Sequence, residues 1–251
     1  MSGNSSKYCT AAVLVAAGTG SRYAEGEVPK QFIELAGKPL YRWSLERLCH
    51  SNSIDLIIIA APESALQDVQ TQVEDLGQIK PIHVIAGGAT RQLSVFNALE
   101  HLEKITAHSN NASLADGMVL TLVHDAARPF LTRQLIESVI AGAMEHGAVT
   151  AAIPVADTVK RVAGTVIDET VDRNNLILVQ TPQAARLDWL IAAHRNAIKD
   201  GTTTTDDAAI LEKFGIKVHT ISGSLFNIKV TTSEDMKLAA MLAQSPVSAF
   251  E

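Results

Sequence analysis

The sequence predicts an α/β protein of three layers, αβα, with a mainly parallel sheet between two sets of helices in a Rossmann-like arrangement and one protruding β-arm. Three observations predict this. Short, continuous apolar runs recur along the chain, as strands buried on both faces require. Helical patterns lie between those runs, which is the signature of repeated strand–helix units. One stretch, at about 154–175, breaks the alternation with two β-prone pieces around Gly164. A chain of 251 residues can bury a large core and form a single α/β domain, 1–251.

The elements follow in order. Val13, Leu14 and Val15 make a first buried strand. Pro39 suits the first position of a helix carrying Leu40, Trp43 and Leu48, because its missing N–H has no partner there in any case. Ile54 to Ala60 is a continuous apolar run, as are Ile82 to Ala86, Met118 to Val123 and Ala148 to Val155. Leu135, Ile136, Val139, Ile140 and Ala143 recur at helical spacing. Thr106 to Asp116 is polar and reads as an exposed loop. Asp157 to Val171 reads as a hairpin-like excursion. Its open edges need cover, for which a second subunit is the usual source, a lone surface hairpin being the alternative. Beyond it, Leu176 to Val179 is a strand, and Leu187 to Ile198 and Thr205 to Phe214 are helices. Lys217 to Ile221 and Leu225 to Val230 are strands, and Ser233 caps a last helix. Met1 to Ser6 and Ser245 to Glu251 read as loose ends.

Composition narrows the function. Hydrophobic residues make up 47% of the chain and charged residues 19%, the balance of a globular protein. A net charge of −6 argues against a general nucleic-acid binder, so any anion site must be a local cluster of Arg and Lys. Cys9 and Cys49 form neither a disulfide framework nor a metal-ligand spacing. No apolar run approaches the ~18 residues of a membrane span. Only Lys7 precedes the first apolar run, which does not make a signal peptide. The expected setting is the cytoplasm.

The most informative segment is Ala11 to Phe32, AAVLVAAGTGSRYAEGEVPKQF. An apolar strand stops at a polar loop with Gly18 and Gly20, where main chain can approach a ligand closely. The loop carries Arg22 and Lys30, and bare N–H groups beside two cations suit a polyanion such as a nucleotide triphosphate. The third glycine of a dinucleotide fingerprint is missing, and no P-loop string occurs. An ordinary βα turn with two solvated cations is the alternative. Gly87-Gly88-Ala89-Thr90-Arg91-Gln92-Leu93-Ser94 follows another strand. Its Gly-Gly turn can lie flat against a base or sugar and the Ser94 hydroxyl can read a base edge, although Thr90 also reads as an N-cap and the glycines as a simple turn. His124-Asp125-Ala126-Ala127-Arg128-Pro129-Phe130 ends a third strand. Asp125, near the expected polyphosphate, suits Mg²⁺, which takes hard oxygen ligands. Arg128 can pair with Asp125 or with a substrate phosphate, and His124 reads as packed rather than catalytic. Later hydroxyls and cations, including Thr158, Arg173, Thr181, Thr205 and Lys229, would suit a second, smaller phosphate.

In that order the motifs AAGTGSR, PKQF, GG-x-x-R-x-x-SV, HDAARPF, DTVKR, VDRN, QTPQ, TDDA and NIKVT make the chain resemble the 2-C-methyl-D-erythritol 4-phosphate cytidylyltransferase family from about Ala11 to Leu242. The resemblance implies a loop of Ala16, Ala17, Gly18, Arg22 and Lys30 around the triphosphate of CTP, with Arg22 and Lys30 stabilising the transition state. It places Gly88 and Ser94 at the cytosine, Ala126 at the ribose and Asp125 at Mg²⁺. Thr158, Arg173, Thr181, Thr205 and Lys229 match the pocket for the sugar-alcohol phosphate, and Arg128 matches a residue beside both substrates. That pocket is implied to be completed across a homodimer by the arm. Where many relatives carry an acidic residue after the second glycine, this chain has Ala89.

The implied reaction is attack of the methylerythritol phosphate on the α-phosphorus of Mg-CTP, releasing pyrophosphate. The attacking phosphate is already an oxyanion, so no general base is required. Pentitol-5-phosphate cytidylyltransferases share the first half of the motifs but generally lack DTVKR and VDRN. They remain one alternative, and a non-catalytic nucleotide-binding module is another.

Overall fold

The computed structural model describes residues 8–18, 30–107 and 118–245, with only the main chain described at Lys30. Its centre is a seven-stranded sheet. The strands are β1 (Tyr8–Val15), β4 (Leu56–Ala61), β5 (Ile82–Ala86), β6 (Met118–Asp125), β7 (Ala148–Pro154), β10 (Ile177–Arg186) and β11 (His219–Ser222). They lie in the order β11-β7-β10-β6-β1-β4-β5. Only β10 runs antiparallel to its neighbours, β6 and β7. The remaining pairs are parallel.

Alternation of side chains along these strands builds the other two layers. Ala12, Leu14, Ile57, Ile59, Leu120 and Leu122 point to one face. There they meet α1 (Leu40–His50), α2 (Leu66–Gln72), α3 (Glu74–Gly77) and α5 (Arg133–His146). Ala11, Val13, Ile58 and Val123 point to the other, under α4 (Arg91–Ala107), α6 (Leu187–Lys199) and α7 (Asp207–Lys213). Because both faces are covered, the strands read as unbroken apolar runs and not as alternating ones. A last helix, α8 (Ser233–Leu242), packs Ala239 on Leu35, Leu40, Phe130 and Val230.

Several boundaries differ from expectation for identifiable reasons. Pro39 is not helical. It ends β3 (Lys38–Pro39), paired with β2 (Glu34–Leu35), and flanks the helix that starts at Leu40. Thr232, not Ser233, caps α8, because Asp235 sits at the reciprocal position of a capping box with Thr232. The strand expected at Leu176–Val179 runs on to Arg186, absorbing Pro182 at a register shift between Val179 and Gln183.

Leu225–Val230 is not a strand. Its backbone is held by other loops: Arg128 Nη1 donates to Asn227 O (2.7 Å), and Val230 N donates to Ala127 O (2.8 Å). The excursion is a ribbon of β8 (Val159–Ala163) and β9 (Val166–Val171), which among the described residues form a separate two-stranded sheet. Most of the expected loop Thr106–Asp116 lies outside the described residues; Thr106 itself belongs to α4.

Candidate active site

In the sheet order, β1 is followed in sequence by β4 on one side, while β6 lies on its other side. Such a reversal opens a crevice at the carboxyl ends of the strands. Val15 and Asp125 are register partners there, so the loops leaving β1 and β6 start side by side. Ala126 N donates to Val15 O (3.1 Å) and Ala16 N to Ala60 O (2.8 Å), fixing the start of each loop on the neighbouring strand.

The β1 loop is pinned from below. Gln31, buried in the short 3-10 turn Lys30–Phe32, donates through Nε2 to Ala16 O (2.6 Å) and Gly18 O (2.8 Å). The main chain at Lys30 is thereby tied to the exit of β1. Arg22 lies outside the described residues, as does the Lys30 side chain. The Gly-Gly turn packs directly on this loop: a Cβ on Gly87 would stand 2.2 Å from the Cβ of Ala17, so only glycine fits. Ser94 is buried; its Oγ accepts from Gly88 N (3.0 Å) and lies 2.8 Å from Thr90 O. Thr90 Oγ1 in turn accepts from Leu93 N (3.1 Å) at the start of α4. In this structure the Ser94 hydroxyl orders the glycine turn.

Three segments converge on Asp125. Its Oδ1 accepts from Arg91 Nε (2.8 Å) and its Oδ2 from Lys229 Nζ (2.6 Å). Its backbone N donates to Thr181 Oγ1 (3.0 Å). The partners of the Asp125 carboxylate are therefore Arg91 and Lys229; of the two roles the sequence offered Arg128, the pairing with Asp125 is not the one made. Arg128 N closes the turn on Asp125 O (2.9 Å), and its guanidinium reaches Asn227 O instead. Burial works against charge on Asp125, but Arg91 and Lys229 outweigh it and hold the carboxyl far below the usual carboxylate range. Burial likewise opposes charge on Arg91, and Asp207 and Asp125 reverse that effect and raise its pKa. For Arg128, burial lowers the pKa.

His124 is fully buried, and burial pushes its pKa down to about 4. The neutral ring fits a chain of bonds. His124 Nε2 donates to Arg128 O (3.0 Å), and Nδ1 accepts from the Thr181 hydroxyl (3.2 Å). The unfolded chain, with an ordinary His near pH 6.5, then binds a proton that the folded protein refuses. His124 thus costs stability as the pH falls from about 6.5 to about 4, on the order of 3 kcal/mol across the whole window. We expect His124→Gln to lower the midpoint of thermal unfolding at pH 7 but to flatten its fall between pH 7 and pH 5. An equal slope in both proteins would assign the acid sensitivity to other groups.

The site thus unites Ala16, Ala17, Gly18, Gly88, Ser94, Asp125, Ala126, Arg128, Thr181 and Lys229 through neighbouring loops. Thr205 is exposed just before Asp206, which caps α7. Thr158 and Arg173 are exposed at the root of the ribbon, Arg173 Nη1 donating to Ala156 O. Among the described residues, no hydrogen bond links these last two to Asp125. Arg91, Gln31, Gln183 and Asp207 carried no role in the sequence. Each lies inside a recognised motif, and that proximity was the available signal.

A three-layer α/β fold with glycine-bearing loops, a fixed carboxylate and cations at its switch point defines a nucleotide-handling protein. The chain matches the family described as 2-C-methyl-D-erythritol 4-phosphate cytidylyltransferase over residues 10–245. The enzyme of that name from Halalkalibacterium halodurans is 38% identical over 233 residues, spanning 92% of this chain and 96% of its own. That from Rhodopirellula baltica is 36% identical over 245 residues, spanning 96% and 99%. The crystal structure of 2-C-methyl-D-erythritol 4-phosphate cytidylyltransferase from Thermus thermophilus superposes with a TM-score of 0.74 at 30% identity, covering 93% of this chain and 98% of that one.

The chain belongs to the 2-C-methyl-D-erythritol 4-phosphate cytidylyltransferase family. It is a nucleotidyltransferase, and its reaction is the transfer of a cytidylyl group from CTP to 2-C-methyl-D-erythritol 4-phosphate in non-mevalonate isoprenoid biosynthesis. Enzymes of the family typically use a divalent cation. Among the described residues, no helix is long and apolar enough to cross a membrane.

Proposed function

We propose that the crevice between β1 and β6 binds both substrates and that catalysis there is positioning plus electrostatics. The triphosphate of CTP lies along Ala16, Ala17 and Gly18 under Arg22 and Lys30. Cytosine lies on Gly88 and the turn that Ser94 orders, and the ribose lies on Ala126. Lys229 and Thr205 receive the 4-phosphate of the sugar alcohol, with Arg128 between the substrates. Thr181 acts by setting the main chain at Asp125. The observation that carries this reading is the convergence of the β1 loop, Asp125 and Lys229 at one switch point.

The sugar phosphate is an oxyanion at pH 7 and needs no base. One of its oxygens attacks the α-phosphorus of CTP as the bond to pyrophosphate breaks, giving 4-diphosphocytidyl-2-C-methyl-D-erythritol. The difficulty is charge: two anions must approach and the crowded phosphorus must carry more of it.

A Mg²⁺ ion fits Asp125. Each carboxylate oxygen accepts one cationic donor here and keeps a free lone pair, and its depressed pKa keeps it charged. A single carboxylate suffices, since the ion takes its other ligands from water and phosphate. When bound, the cation neutralises charge on the triphosphate and its leaving pyrophosphate. The protein's own residues orient the attacking oxygen and shield its approach.

The protein works in the cytoplasm as a homodimer joined by the arm at about 154–175, so that Thr158 and Arg173 of the partner subunit complete the sugar-phosphate pocket. In support, the ribbon and the strand after it expose large apolar side chains, Val166 (68%) and Leu178 (53%) among them.

The assay is pyrophosphate release from Mg-CTP with either polyol phosphate. Release with 2-C-methyl-D-erythritol 4-phosphate is expected; release with ribitol 5-phosphate alone would overturn the assignment. A charge-assisted hydrogen bond contributes about 1.5–3 kcal/mol, so Arg173→Ala should raise KM for the sugar phosphate roughly 10–100-fold. KM for CTP should stay near wild type. Equal KM values for the sugar phosphate would place Arg173 outside the pocket.

A further inference from the structure

Arg91 opens α4 directly after the glycine turn, and its guanidinium is shared between two carboxylates on different elements. Nε donates to Asp125 Oδ1 (2.8 Å) at the end of β6, and Nη2 lies 2.9 Å from Asp207 Oδ2 at the start of α7. Asp207 is itself fixed from behind. His194 Nε2 of α6 lies 3.1 Å from its Oδ1, and the Asp207 and Ala208 N–H groups both donate to Gln183 Oε1 (3.0 and 2.9 Å). The next residue makes a parallel tie: Gln92 Nε2 donates to Thr202 O (3.0 Å), and Thr204 N donates to Gln92 Oε1 (3.1 Å). The first turn of α4 therefore grips both the carboxylate that serves the nucleotide and the segment leading into α7, where Thr205 serves the sugar phosphate.

We propose that Arg91 is a positioning residue: by bridging Asp125 and Asp207 it sets the orientation of the Asp125 carboxylate and its spacing from the α7 segment, and so aligns the two substrates. This rests on the reading of Asp125 given under the proposed function. The planar fork is what the task needs. A guanidinium presents donors in two directions at once, whereas a lysine ammonium is one point charge on a flexible stem that cannot reach both carboxylates in fixed geometry. Lys229 is the second donor on Asp125, but it is about one third exposed and is also claimed for the incoming phosphate. Arg91 is the partner that stays.

The test compares Arg91→Lys, Asp207→Asn, the double variant and Asp125→Asn as purified, full-length proteins. Three quantities are read: the affinity for Mn²⁺·CTP by calorimetry without the second substrate, kcat and KM for both substrates, and the thermal midpoint. Loss of a group that orients a metal-binding carboxylate commonly costs about 10–100-fold in affinity or activity. Arg91→Lys is expected to lose that much in Mn²⁺·CTP affinity and in kcat while remaining folded. Asp207→Asn, which touches neither substrate, should move both in the same direction. The double variant should be no worse than the poorer single, because the two act as one unit.

Should Arg91→Lys fail to fold, Asp207→Asn decides alone by the same readouts. Mn²⁺·CTP affinity and kcat within about twofold of wild type in Arg91→Lys or in Asp207→Asn would overturn the proposal, as would losses that add in the double variant. If Asp125→Asn leaves Mn²⁺·CTP affinity unchanged, the reading of Asp125 itself fails, and that signature differs from failure of Arg91 alone.

Discussion

Lys30→Ala is expected to lower kcat about 10²–10³-fold, and Arg22→Ala by the same order, with smaller changes in KM for CTP. A donor that meets charge developing in the transition state contributes roughly 3–4 kcal/mol, because it is already in place when the charge appears. What makes Lys30 a candidate for such a place is local structure. Gln31, its neighbour, is buried and bonded to both Ala16 O and Gly18 O, so the main chain at Lys30 is anchored to the loop at the end of β1. Rates of single turnover with saturating CTP and sugar phosphate isolate the chemical step. Variants that keep more than a tenth of the wild-type rate would remove these two side chains from the transition state.

Asp125→Asn has the second largest expected effect, a loss of about 10² or more in kcat/KM together with lower stability. The substitution keeps the shape but exchanges one acceptor oxygen for an NH₂ group that must face either Arg91 or Lys229, both of them donors. Removing one partner of a buried charge pair costs about 3–5 kcal/mol when the other is left alone. Arg91 still has Asp207 and Lys229 is partly solvated, so the expected cost is smaller, about 1–3 kcal/mol.

The two effects separate in pH. Asp125 and Asp207 both have depressed pKa values when folded, so the stability they contribute is present above their unfolded pKa near 4 and lost as the pH falls below it. Asp125→Asn should therefore shrink the acid loss of stability below about pH 4, as seen by urea unfolding at stepped pH. A variant with near wild-type turnover and an unchanged acid limb would show that the carboxylate serves neither purpose.

Much of the fold was legible because burial on both faces writes strands as plain apolar runs. Ile82–Ala86 was placed to the residue, and Leu56–Ala61 and Ala148–Pro154 were shifted only at their ends. Each misreading has its own physical reason. Ile228 and Val230 gave Leu225–Val230 the look of a strand, but their apolar character serves packing beside Phe130 and α8, while Asn227 bonds to the QTPQ segment. The strand expected at Leu176–Val179 stopped short of Pro182, a residue with no N–H for the ladder, but the register shift carries β10 through it to Arg186. The ribbon was visible as a break in the βα rhythm. The antiparallel insertion of β10 between β6 and β7 was not, since pairing of distant strands leaves no local mark.

The candidate site divides in the same way. Motif spacing pointed to Asp125, Lys229 and the glycine turns, because loops at strand ends must carry their chemistry on nearby residues. By itself the amino-acid order determined the layered α/β class and, through the order of its motifs, the family and so the kind of reaction. Only the tertiary structure decided that Asp125 pairs with Arg91 and Lys229 rather than Arg128, that Thr181 spends its hydroxyl on Asp125 N and His124, and that Asp207 stands behind Arg91. The physical reason is that a side chain's partner is whatever charge lies within reach once the chain has closed, and 104 residues separate Lys229 from the carboxylate it holds.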